Sequence, residues 1–112
     1  METKDLGKTS TGMQANVAGL LSYLLGFITG IIFFVIEKDN KFVRFHAMQS
    51  MLAFGFLFVL QMILMFIPFI GWVLSPIVSI VGLILWIIMM IKAYQGEFFK
   101  LPIVGEIAEK QA

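Results

Sequence analysis

From Phe45 to Ile91 the chain carries no charged residue. As a single helix that stretch would run roughly 70 Å, more than twice the thickness of a bilayer's hydrocarbon core. A water-soluble domain of 112 residues cannot hide it, because a chain this short buries too small a share of its surface. Nor can the rest of the sequence supply a polar coat. Charged residues make up 13% against 60% hydrophobic, where a soluble domain needs roughly a quarter charged. The solvent for most of the chain is therefore lipid. Within the uncharged stretch, Ile67-Pro68-Phe69-Ile70-Gly71-Trp72 is the natural break. Pro68 removes a backbone donor, Gly71 frees the backbone, and Trp72 suits an interface. Two crossings follow, over residues 45–67 and 71–91.

Upstream, residues 17–36 form a further uncharged run of about one bilayer thickness. Between it and the next lies Glu37 to Ser50, EKDNKFVRFHAMQS, where Lys38, Lys41, Arg44, Glu37, Asp39 and the single histidine, His46, cluster. The fold expected is all-α, with three transmembrane helices, the second beginning with an interfacial cytoplasmic segment. Residues 1–15 read as a flexible polar tail, 16–96 as the membrane domain and 97–112 as an interfacial C-terminal tail. Asn16 is a candidate cap for the first helix, Asp39 or Asn40 for the second, and Gly96 a candidate stop for the third. A signal peptide is not expected, since the first apolar run follows a mixed-charge lead without a cleavage site. No internal repeat is evident. Three crossings place the Glu37–Lys41 loop and the C-terminus on one side with Lys38, Lys41, Arg44, Lys92, Lys100 and Lys110, leaving Lys4 and Lys8 on the other. The positive-inside rule then makes the loop and the C-terminus cytoplasmic in a cell membrane, and the N-terminus external.

On a helical wheel His46, Gln49, Ser50, Ala53, Leu57 and Gln61 share one side, with Arg44, Met48 and Met51 nearly opposite. Polar groups at bilayer depth need protein partners, whereas a long cationic stem can bend toward headgroups. Lys41, Arg44, His46, Gln49, Lys92 and Lys100 are the candidate anchoring positions. Gly19, Gly26 and Gly30 in the first span, and Gly71, Ser75, Ser79 and Gly82 in the last, form small-residue faces that let helices approach closely. Gln61 is expected to act as packing glue between helices. Catalysis is not expected: His46 has Ser50 one turn away but no acid on that face to orient its ring. One histidine and no cysteine cannot complete a metal site within one chain, and no cofactor is implied. Ion pumping lacks an intramembrane charge, and a net charge of +1 implies no nucleic acid.

Phe42-Val43-Arg44-Phe45-His46-Ala47-Met48-Gln49, and Lys92-Ala93-Tyr94-Gln95-Gly96-Glu97-Phe98-Phe99-Lys100-Leu101-Pro102 after the last span, carry a resemblance. The chain resembles the small prokaryotic membrane proteins of the Tic-twenty-like domain, named for a chloroplast inner-envelope import component. The resemblance implies a small all-helical membrane fold without a general biochemical activity. Its chloroplast member has four spans where three are counted here, so an import function is not carried over. The role expected is a non-enzymatic helix-packing subunit or accessory of a membrane assembly. Its partners would be lipids and either a membrane protein or further copies of the chain. The alternative is a homo-oligomeric channel or transporter lined by Gln61, Ser75 and Ser79.

Overall fold

The structure is a computed structural model and describes residues 6–112. It is all-helical: α1 (Ala15–Leu24), α2 (Phe27–Ile36), α3 (Lys41–Met65), α4 (Ile70–Tyr94) and α5 (Val104–Gln111). Among the described residues, α3 and α4 are the two helices long and apolar enough to cross a membrane. At 25 residues each they reach about 37 Å. They run antiparallel, as Gln61 of α3 meets Ser75 and Ser79 of α4 while Leu57 lies beside Gly82.

The expected span over residues 17–36 is not one helix. It breaks at Leu25–Gly26, and the two ten-residue halves fold back on each other. Along α1, Gly19 lies against Phe42, Tyr23 meets His46, and Gly26 reaches Ser50 and Phe54, so α1 runs parallel to α3. α2 returns antiparallel. Phe27 packs on Phe58, Gly30 on Ala47 and Met51, and the Phe34 carbonyl accepts from Arg44. The break needs Gly26, whose φ of 63° and ψ of −134° lie in a region essentially closed to residues with a side chain. Its backbone groups also need partners, because a free peptide group in hydrocarbon costs several kcal/mol. The Thr29 hydroxyl accepts from the Leu25 N–H (3.1 Å) and donates to the Ser22 carbonyl (3.0 Å). Ser50 donates to the Gly26 carbonyl (2.9 Å), and the Trp86 indole N–H to that of Tyr23 (2.7 Å). A broken helix at this depth survives because α3 and α4 cover it.

Two turns of the same kind enter α4 and α5. At Phe69 (φ 61°) and Ile103 (φ 67°) the backbone is left-handed, with Ile70 N–H donating to Pro68 O and Val104 N–H to Pro102 O, both at 2.7 Å. These are γ-turns, a strained form for residues with side chains. Ile67-Pro68-Phe69-Ile70-Gly71 and Leu101-Pro102-Ile103-Val104-Gly105 are thus a short structural repeat, where none was expected. Each ends on a glycine that no side chain could replace in place. A Cβ at position 71 would run into the Leu64 carbonyl, and one at position 105 into Lys100.

The folded-back hairpin changes the topology. Ser10 hydrogen-bonds Glu37, and Asn40 donates to the carbonyls of Leu6 and Lys8. Asn16 donates to the Tyr94 carbonyl. The N-terminal segment, the Glu37–Lys41 loop and the C-terminal tail therefore share one end of the molecule. An external N-terminus opposite the loop does not fit: α1 and α2 enter and leave by the same end. Of the two lysines counted on the far side, Lys8 lies with the loop, and Lys4 falls outside the described residues. Nor does Asn16 cap α1. Gln14 takes that position without a side-chain bond.

Candidate functional site

Every charged side chain among the described residues lies at this one end, and the uncharged α3–α4 turn forms the other. At the charged end, α3 presents two polar residues to the C-terminal tail. His46 and Gln49, three apart on α3, lie on the face that α1 and the tail cover, and both are wholly buried. The His46 Nε2 lies 2.7 Å from the Glu97 carbonyl, which can only accept, so that nitrogen carries the proton. Its Nδ1 then accepts from the Tyr23 hydroxyl at 2.6 Å. That hydroxyl accepts in turn from the Gln49 carboxamide at 3.0 Å. Gln49 also donates to the Phe99 carbonyl (2.8 Å) and accepts from the Leu101 N–H (2.9 Å). Two side chains of α3 thus hold residues 97, 99 and 101 of an extended segment by its backbone. Phe98 closes the site from above, packed edge-on against Phe42 at 5.0 Å and tilted against Phe45 at 5.4 Å.

A second cluster surrounds Glu37, also wholly buried. Its carboxylate accepts from the backbone N–H groups of Ser10 (2.9 and 2.8 Å), Asp39 (3.1 Å) and Asn40 (3.0 Å). Burial alone would raise its pKa. The N–H donors from Ser10, Asn40 and Asp39 outweigh that and hold it below the ordinary carboxylate value. Asn40 caps α3 by accepting from the Val43 N–H (3.0 Å). Arg44 turns inward over the Phe34 ring at 4.1 Å and caps α2 through the carbonyls of Phe34 (3.0 Å) and Glu37 (2.7 Å). A carboxylate and a guanidinium thereby tie three chain segments together without pairing with each other.

Lys92 pairs with Glu97 (3.1 Å) and Lys100 with Glu109 (2.5 Å), while Lys41 is exposed. Gly19 and Gly30 meet α3, and Gly26 forms the break. Gly71 packs on Leu64 and Gly82 on Leu57. Gln61 binds the Ser75 carbonyl (3.1 Å) and the Ser79 hydroxyl (2.7 Å), and accepts from the Ser75 hydroxyl (2.6 Å). The small-residue faces are accordingly used within the chain. Tyr23 and Glu37 were missed as the centres of the two clusters. A lone tyrosine in an apolar run, and an acid bordering one, were the signals available.

The sequence comparisons bear on these same residues. The model of the magnetosome magnetite crystal formation protein family matches residues 8–108, from the segment beside Glu37 to the middle of α5. The chain belongs to that family. It is also 56% identical, over 94% of each chain, to a UPF0132 membrane protein of Methanocaldococcus jannaschii. A UPF0132 membrane protein of Archaeoglobus fulgidus is 57% identical, over 88% of this chain and 96% of its own. A second M. jannaschii protein of that name is 48% identical, over 88% of this chain and 71% of its own. These matches correct the Tic-twenty-like resemblance. The motifs quoted for it, Phe42–Gln49 and Lys92–Pro102, are the two strands of contact around His46, and they sit in a family of a different description. No solved structure matches the chain.

Proposed function

We propose that the protein is a non-enzymatic component of a membrane assembly: an α3–α4 hairpin anchored in lipid, carrying a rigid polar cap on the cytoplasmic face. The observation that carries this reading is the fate of its reactive groups. Tyr23, Glu37, His46 and Gln49 are buried and hydrogen-bonded within the chain, so these four polar groups serve the fold and are closed to a substrate. The outward faces of α2 and α4, such as Ile28, Ile32, Ile80 and Ile84, offer apolar surface for lipid or neighbouring helices. Lys38 and Lys41 stand exposed at the cap, where cations favour the cytoplasmic side. The family's description names magnetite crystal formation. For this chain a scaffolding part in such an assembly suits the residues better than direct iron binding. Among the described residues no three of His, Cys, Asp or Glu come together.

Native mass spectrometry after gentle extraction from the source membrane tests this directly. A stoichiometric protein partner is the expected result. A closed homo-oligomer with no partner, together with solute flux in vesicles, would contradict it in favour of a pore.

A further inference from the structure

The outer seam between α1 and α4 opens into a groove of about 280 Å³, lined by Leu20, Ile87, Met90, Ile91, Tyr94 and Gln95. Its walls are aliphatic except at one end, where Tyr94 and Gln95 form the rim beside the polar cap. Gln95, the residue that caps α4, lies eight positions beyond Ile87, so the groove runs about 12 Å along the helix, within one leaflet of a hydrocarbon core about 30 Å thick. A helix is about 10 Å wide, and that length of one needs several times the volume present. The groove admits something thinner. Its setting gives the chemistry: Ile84, Ile88 and Ile91 on α4 are exposed in a protein of a membrane family, so it opens onto hydrocarbon. The rim adds a second observation. The Tyr94 side chain and the Gln95 side chain are exposed, and neither hydroxyl nor carboxamide has a hydrogen-bond partner among the described residues. Nearby Lys92 is tied to Glu97, so these neutral groups are the ones free to bind.

We infer that this groove holds one hydrocarbon chain of a membrane lipid, with Tyr94 and Gln95 hydrogen-bonding the oxygens where the chain joins the headgroup. The site is separate from the proposed assembly role and stands whether or not a protein partner exists. Ile32 on α2 and Ile80 on α4 are comparably exposed but lie outside this groove's lining, which gives an internal control.

The test uses the full chain in vesicles containing phosphatidylglycerol with a photoreactive diazirine at mid-chain. Cross-links should concentrate on Leu20, Met90 and Ile91, about fivefold above Ile32 and Ile80. Met90→Trp or Leu20→Phe, which fill the groove, should bring labelling there down to the level of Ile32 while leaving Ile32 itself unchanged. Unchanged hydrogen-exchange protection around the buried Tyr23–His46 cluster shows that the variant has folded. Tyr94→Phe with Gln95→Ala should lower groove labelling without filling it. Even labelling over all the exposed positions would overturn the inference, as would groove labelling that the filling variants leave intact.

Discussion

Glu37 accepts from three backbone N–H groups in two segments, that of Ser10 shared between both carboxylate oxygens, and its burial makes each of them matter. Glu37→Gln would place a carboxamide N–H against backbone donors, leaving at least one buried group unpaired at a cost of about 1–3 kcal/mol. The expected result is faster hydrogen exchange at Ser10 and Asn40, with α3–α4 protection unchanged. The pH dependence has a definite sign. A carboxylate whose folded pKa is depressed contributes its stability above the unfolded value of 4.5 and loses it as pH falls through the lower folded value. Protection at Ser10, corrected for intrinsic rate, should therefore hold at neutral pH and fade only below 4.5. Gly30 is a steric case. A Cβ there would sit 2.8 Å from the Ala47 carbonyl, which α3 cannot move without losing its own hydrogen bonds. Gly30→Leu should lower stability by about 1–3 kcal/mol or more in detergent, as overpacking does. At Gly55 the nearest atom to a Cβ is 3.9 Å away, so Gly55→Ala should be neutral or stabilising by up to about 1 kcal/mol.

At the scale of elements, the broken α1–α2 hairpin and the α3–α4 hairpin depend on different groups. Gly26→Ala imposes a side chain on a backbone conformation that excludes one. It should cost about 1–3 kcal/mol and loosen α1 and α2 together. Gln61→Leu removes the polar tie between α3 and α4 at a cost of about 0.6–2 kcal/mol. It should leave the Tyr23–His46 cluster protected, as hydrogen exchange would report. The limits of α3 and α4 were legible because Arg44, Pro68, Gly71, Lys92 and Gly96 punctuate a charge-free run. The break in the first span was not. Gly26 and Gly30 look alike in sequence, as a pair that lets helices touch, but Gly30 serves contact and Gly26 serves a backbone angle. The tail's attachment was also hidden. His46 and Gln49 bind backbone atoms of residues 97–101, which any sequence presents, so no matching side chains advertise the contact. That His46 and Gln49 face protein was legible from the wheel. What they face was not.

For the whole molecule, a chain measuring 49 × 28 × 21 Å keeps its described charges at one end. Phe66 and Phe69, 82% and 77% exposed, lie at the other. An apolar turn of this kind can enter a bilayer without carrying a charge across it, and the cap cannot follow. One-sidedness is therefore the central claim, and it separates this fold from a three-span bundle. The chain has no cysteine, so Lys8→Cys, Lys38→Cys and Lys110→Cys give three single-cysteine reporters at exposed positions. Labelled with a membrane-impermeant maleimide in sealed vesicles of one orientation, all three should react from the same side, the cytoplasmic one. A position 8 cysteine that reacts only from the side opposite position 38 would contradict the folded-back hairpin and restore three crossings.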